Sequence, residues 1–292
     1  MNTLPARPPA AAAAAAPPVH RTPFAKLAAV ISWLVFPTLL TAVTAGAIAL
    51  LGQNLPRPLI SGGITLVALG LILGLERLCP LHRSWNARPE PLDLMLLVGN
   101  RIIDVIVVAA VIALLQRLER AGMHAALLHV WPARAPLLLQ ATLGIVLAEL
   151  VRYVLHRLSH RDGLLGRVHR LHHQPRRMYA LNGPRLHPGN YLWIAIANTV
   201  PMLLLGAPLS AAVLASIITS FFVLFQHSNV RLRFDGWNRL FATPDVHRLH
   251  HLREAAGQPV NYGIVLLGLD VIFGTYQRAD RDPGADAIGE AA

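Results

Sequence analysis

Long apolar runs alternate along the chain with short polar segments rich in arginine, and the runs predict helices able to cross a bilayer. A hydrocarbon core of about 30 Å takes ~20 helical residues. Leu27–Leu51, Pro58–Cys79, Leu92–Gln116 and Pro136–Leu155 meet that length. A further apolar region is divided by Gly206-Ala207-Pro208 into Tyr191–Leu205 and Pro208–Gln226. Its first member is short, so the pair reads as a hairpin, with a tilted or re-entrant segment as the alternative. The fold class expected is all-α: an integral membrane helical bundle of four spans plus a helical hairpin, with a cytosolic histidine-rich helical cap.

Composition strengthens that reading. The chain is 54% hydrophobic and 14% charged, outside the usual range of soluble domains. Residues 1–26 form an Ala/Pro-rich arm; Met1–Val19 cannot build a core and is expected to be disordered. Residues 27–135 make the N-terminal transmembrane helices, 136–278 the domain that carries the chemistry, and 279–292 a disordered tail. The apolar stretch after Lys26 is too long for a cleaved signal and reads as a signal anchor. Cys79 is the only cysteine, which excludes an internal disulfide and agrees with a reducing face.

The net charge of +11 is nearly all arginine, since Lys26 is the only lysine. With no soluble domain to present a basic surface, nucleic-acid binding is excluded, and attraction to anionic lipid headgroups accounts for the charge. Arginine in place of lysine, with many alanines, points to a GC-rich bacterial genome and so to the inner membrane. The densest basic series, from Arg152 through Arg157, Arg161, Arg167 and Arg170 to Arg185, falls in the cytoplasm if the N-terminus does, by the positive-inside bias. The hairpin returns the chain to the same side, leaving both termini cytoplasmic. The loop with Arg117, Arg120 and Arg134 fits this orientation least well. Within the third span, Arg101 and Asp104 are spaced to pair at i, i+3 beside Asn100; a structural pair is the favoured reading, with a place in a polar cavity as the alternative.

Ten of the fourteen histidines lie between positions 156 and 251. His156/His160, His169/His172/His173 and His247/His250/His251 have spacings of three and four, which set imidazoles on one face of a helix. Eight such rings exceed what one tetrahedral ion uses, so the pattern points to two metals. A haem would need only two histidines, and a zinc finger would need cysteines. The lone His20, His82, His124 and His129 read as ordinary surface or core residues.

Laid out in order, the motifs are Tyr153-Val-Leu-His156-Arg157-x-x-His160, Arg167-Val-His169-x-x-His172-His173, Arg185-Leu-His187-Pro188, Gln226-His227-Ser-Asn229, Thr243-Pro244-x-x-His247-x-x-His250-His251, Asn261-Tyr262-Gly263 and Asp270-x-x-Phe273-Gly274-Thr275-Tyr276. From about Glu149 to Tyr276 this resembles the membrane fatty acid hydroxylase/sterol desaturase superfamily. The resemblance implies a cytosolic cap holding two iron ions, with zinc as a substitute in purified protein. It implies as ligands His156, His160, His169, His172, His173, His247, His250 and His251, with His187 and His227 as further ligands or near neighbours. No catalytic residue beyond the metal ligands is expected. Asn190, where an acidic residue often follows His-Pro, Leu269 and Glu149 depart from the common pattern.

The activity so implied is O₂-dependent hydroxylation or desaturation of a lipid, sterol-like or fatty acyl, at an unactivated C–H bond no side chain can attack unaided. Electrons would come from a separate ferredoxin or cytochrome b5-like donor, because the chain has no haem or flavin domain. Glu149, Asp245 and Asp270 are candidates to accept the second ring N–H of a ligand histidine. Arg152, Arg157 and Arg170 read as interfacial anchors, or as contacts for an acidic redox partner or lipid phosphate. A zinc hydrolase would need a glutamate inside a histidine helix, which none of the clusters has. A non-enzymatic alternative is a histidine-rich metal transporter or metal-binding protein.

Overall fold

A computed structural model describes residues 23–122, 130–253, 260–280 and 282–289. It is all-helical, with no strand among the described residues: α1 (Pro23–Leu51), α2 (Arg57–Leu78), α3 (Pro91–Arg120), α4 (Leu137–Ser159), α5 (Leu164–His173), α6 (Pro188–Leu204), α7 (Leu209–Gln226), α8 (Pro244–His250) and α9 (Gly268–Ile272). Five helices, α1 to α4 and α7, are long and apolar enough to cross a membrane. Leu66, Val67, Val98, Ile102, Ile106 and Val154 point outward and are exposed. Apolar side chains turned out from long helices are what a lipid solvent requires, since in hydrocarbon only the backbone needs internal partners.

The innermost helix is α7, which packs against α1, α2, α4 and α6. Phe36 of α1 stacks on Phe225 at 5.3 Å between ring centres, and Phe225 stacks on Phe221 at 5.4 Å. The short α6 joins α7 through a turn in which Gly206 takes φ 87°, a conformation glycine adopts without a Cβ penalty. At 1.5 Å per residue α6 is about 26 Å long, and the Trp131 amide, just ahead of α4, donates to the Leu205 carbonyl at 3.0 Å. The turn therefore lies beside the start of α4. The pair is a hairpin running the length of the bundle.

The other ends of the helices converge on the histidine-bearing segments. At the end of α2, Glu76 accepts from the amides of Ala180 (2.8 Å) and Asn229 (2.9 Å). At the start of α3, Asp93 pairs with Arg185 at 2.9 Å and accepts from Tyr179. Near the start of α1, Trp33 Nε1 donates to the Asp235 carbonyl at 2.8 Å. Carboxylates at these ends fix the loops without entering the cap.

The tail differs from expectation. Most of the arm 1–26, with His20, lies outside the described residues, as do His124 and His129, and α1 already includes Pro23 to Lys26. Residues 282–289, expected to be disordered, fold back over the cap: Ile288 is fully buried and bridges to Leu252, the Gly289 amide donates to the His251 carbonyl at 3.2 Å, and Asp282 pairs with His82 at 2.9 Å. Gly289, at φ 84°, passes so close to the Pro175 backbone that a Cβ would collide with it. One buried isoleucine in an Ala/Asp/Gly-rich stretch leaves no periodicity from which to read such a strap.

Candidate metal centre

His156 lies in the last turn of α4 and His160 caps it, α5 carries His169, His172 and His173, His227 caps α7, and α8 carries His247, with His250 at its end and His251 following. Spacings of three and four turn each set to one side of its helix, and the sets face one another across the cap. The ring nitrogens gather into two groups. One holds His156, His160, His169, His173 and His250; the other holds His172, His227, His247 and His251, all buried. Nine of the ten histidines expected from sequence are thus together. His187 is not: it is exposed, and its Nδ1 accepts from the Gly189 amide at 3.1 Å as the N-cap of α6. The Pro188 that follows favours this helix start and turns the ring to cap its own backbone.

The spacing of the nitrogens carries the metal reading. In the second group His227 Nε2 lies 3.2 Å from His172 Nε2, 3.2 Å from His251 Nε2 and 3.0 Å from His247 Nε2, and His247 and His251 are 3.1 Å apart. Nitrogens each ~2.1 Å from one ion stand about 3.0–3.4 Å from each other, so the four fit a common centre. In the first group His160 and His250 approach to 3.2 Å, and His169 and His173 to 3.1 Å, through Nε2.

Oxygen acceptors set the ring tautomers. His156 Nδ1 donates to the Tyr262 carbonyl (2.7 Å), His250 Nδ1 to the Val260 carbonyl (2.8 Å), His227 Nδ1 to the Val223 carbonyl (2.7 Å) and His169 Nδ1 to Asn190 Oδ1 (2.8 Å). Each leaves its Nε2 lone pair directed inward, and His156 Nε2 is buried without a partner. An outer hydrogen bond that fixes the tautomer is the usual support of a metal-ligating imidazole. Asn261 explains two of the four. At φ 54° it turns the chain so that the carbonyls flanking it reach different histidines, while its amide holds the carbonyls of Val246 (3.0 Å) and Gln277 (2.9 Å). Asparagine tolerates this left-handed conformation better than most residues.

The carboxylates expected to accept these ring N–H groups do something else. Glu149 pairs with Arg152 at 2.6 Å and accepts from the amides of Ile264 (2.6 Å) and Val265 (3.2 Å). Asp270 accepts from the amides of Tyr262 and Gly263, each at 2.8 Å, and Asp245 from Asn238 at 2.7 Å. Glu149 and Asp270 hold the loop whose carbonyls support the histidines, one step removed from the rings. Arg152 is no interfacial anchor: it is wholly buried and also donates to Asn198 Oδ1 at 2.7 Å. Sequence reasoning missed the backbone acceptors because a carbonyl has no letter in the sequence; Asn190 was visible only as a departure from pattern.

Burial holds the rings neutral, the state a ligand needs. Desolvation lowers His169 and His227 to about 4 and His160 to about 2, and takes His172, His173, His247, His250 and His251 well below the usual histidine value. Between about pH 6.5 and 4 the unfolded chain then binds more protons than the folded one, so stability falls as pH falls through that window. Metal-stripped protein in detergent is expected to lose thermal stability progressively from pH 7 to pH 4.5. A flat profile would show that the rings are not buried neutral.

A helical membrane bundle closing nine imidazoles into two groups at one end is a histidine-box membrane metalloprotein. The comparisons agree: a family model described as fatty acid hydroxylase matches residues 141–275, and the ornithine lipid hydroxylase OlsE of Rhizobium tropici is 30% identical over 267 residues, spanning 89% of this chain and 80% of its own length. The chain belongs to the fatty acid hydroxylase superfamily. No solved structure matches it.

Proposed function

We propose that this protein is an O₂-dependent lipid hydroxylase of the bacterial inner membrane, with its histidine cup and both termini in the cytoplasm. The observation that supports it is the pair of all-histidine groups at the end of a membrane bundle, together with a relative named as a lipid hydroxylase. His156, His160, His169, His173 and His250 would hold one iron ion, and His172, His227, His247 and His251 the other. Two such ions, when bound, would supply the O₂ activation and oxidising strength needed for an unactivated C–H bond. Zinc fits the same donors and would be the substitute in purified protein.

The protein's own residues do the rest. The carbonyls of Val223, Val260 and Tyr262 and the Asn190 amide keep the inward nitrogens free of protons. Five of the histidines form the inner end of a cavity that passes between α3, α6 and α7, so a lipid chain could meet the cup while bulk water is kept out. For R–H to become R–OH, one O₂, two electrons and two protons are consumed and one water leaves. The electrons come from a separate ferredoxin or cytochrome b5-like protein. A transporter would thread its histidines through the spans, whereas all nine here sit at one end. Hydroxylation is preferred to desaturation on the relative's name alone.

Expression in cells that lack the gene, followed by mass spectrometry of total lipids, tests the reading. The expected result is a lipid class heavier by one oxygen atom, dependent on O₂ and iron. A class lighter by two hydrogens would make the protein a desaturase, and an unchanged lipid profile in iron-loaded, aerated cells would remove the assignment.

A further inference from the structure

Val271, Ile272 and Phe273, at the end of α9, stand out from the fold, and Ile272 is 73% exposed. They do not sit on a loose loop. The amides of Thr275 and Tyr276 both donate to the Asp270 carbonyl, at 2.8 and 3.0 Å, around Gly274 at φ 68°. The buried Asp270 carboxylate accepts from the amides of Tyr262 and Gly263. A well-tied turn thus holds three large apolar side chains outward, and a contiguous apolar patch of that kind marks an interaction surface.

The place of this turn along α4 identifies what it meets. Leu139, Leu143, Val146, Leu150, Val154 and Leu158, spaced by three and four, form an exposed apolar stripe down the outer side of that span. From Leu139 to Leu158 the rise is about 29 Å, a full hydrocarbon core. The α9 turn joins α4 short of the end of the stripe: Phe273 stacks on Tyr153 at 5.3 Å between ring centres, and the Tyr153 and Thr275 hydroxyls bond at 2.9 Å. Tyr153 precedes Leu158 by about 8 Å of helix, and its ring leans further toward the helix N-terminus, into the lipid layer. Arg157 and the exposed Arg161 mark where α4 reaches the headgroups. An acidic carrier protein would suit those arginines too, but the Phe273 contact lies on their lipid side.

We propose that the turn 271–273 is an interfacial wedge, seated among the acyl chains of the leaflet on the cap side and tying the cap to the bilayer beside α4. Apolar side chains of interfacial segments enter that boundary to a depth of about 5–10 Å. Asp270 also holds the loop whose Tyr262 carbonyl orients His156, so the wedge anchors part of the metal centre's support in lipid. The test uses the full-length protein in nanodiscs of phosphatidylethanolamine and phosphatidylglycerol. In a Cys79→Ser background, Ile272→Cys carries an NBD fluorophore, with Val154→Cys as the reference in lipid and Asp280→Cys, an exposed side chain, as a second cap position. The Ile272 label is expected to lose fluorescence to a nitroxide near the carbonyl end of the acyl chains, as the Val154 label does, and to be shielded from aqueous iodide relative to the Asp280 label. Quenching by iodide with none by lipid nitroxide would put the turn in water, where a protein partner is its occupant, and would overturn the wedge. A Val154 label untouched by nitroxide would overturn the span itself and the wedge with it. Neither readout depends on iron or on hydroxylation.

Discussion

His250→Ala is expected to reduce bound iron from about two ions per chain to about one and to abolish hydroxylation, while the protein still inserts into the membrane. His172→Ala is expected to do the same from the other side. His250 belongs to the five-histidine group and His172 to the four-histidine group, so each variant depletes one position and spares the other. Loss of an outer partner of a metal ligand typically costs ~10–100-fold in affinity or activity, and loss of the ligand itself exceeds that. Folding is affected less, because each ring is held by its helix and neither variant strands a charge. Metal analysis beside lipid turnover checks this. Full activity in both variants would refute histidine-ligated catalysis; loss of both ions in either would show one cooperative site instead of two.

Glu149→Leu is expected to be among the most destabilising single changes in the cap. Glu149 is the partner of the fully buried Arg152 and the acceptor for two backbone amides. Removing one member of a buried ion pair costs about 3–5 kcal/mol, and each abandoned amide about 1–3 kcal/mol, although the terms overlap. The loop 262–265 then keeps only its Asp270 anchor at Tyr262 and Gly263, which loosens the carbonyl that orients His156. The double variant Glu149→Leu/Arg152→Leu is expected to recover the charge part of the loss but not the amide part, because two apolar residues leave no buried ion. Thermal unfolding of the three variants separates these contributions. A double variant no better than Glu149→Leu would show that Arg152 is not the source of the penalty.

The bundle was legible because lipid imposes a strong rule: a spanning segment satisfies its own backbone and turns apolar groups outward, so Leu27–Leu51 or Leu92–Gln116 could be read directly as helix. The histidines were legible for a related reason, since spacings of three and four have a single geometric meaning on a helix. His187 carried no such spacing, and only the backbone it caps reveals its role. Arg152 misled because a cation near the end of a span normally reaches for the interface, and nothing in its immediate sequence announces Asn198 or Thr219 waiting across the bundle. The ring acceptors were hidden more deeply. Carbonyls of Val223, Val260 and Tyr262 are chosen by where loops turn, and the turn at Asn261 shows itself only through its dihedral angle.

The strap formed by Ile288 and Gly289 bears on biogenesis. Gly289 bonds to the His251 carbonyl and passes against Pro175, just beyond α5, so it spans the segments that contribute six of the nine rings. During synthesis those segments emerge well before the residue that clasps them, and the α6–α7 hairpin must enter the lipid in between. The cup is thus clasped by a segment that follows all nine rings in the chain, and a bulky fusion placed directly after residue 289 is expected to disturb that clasp.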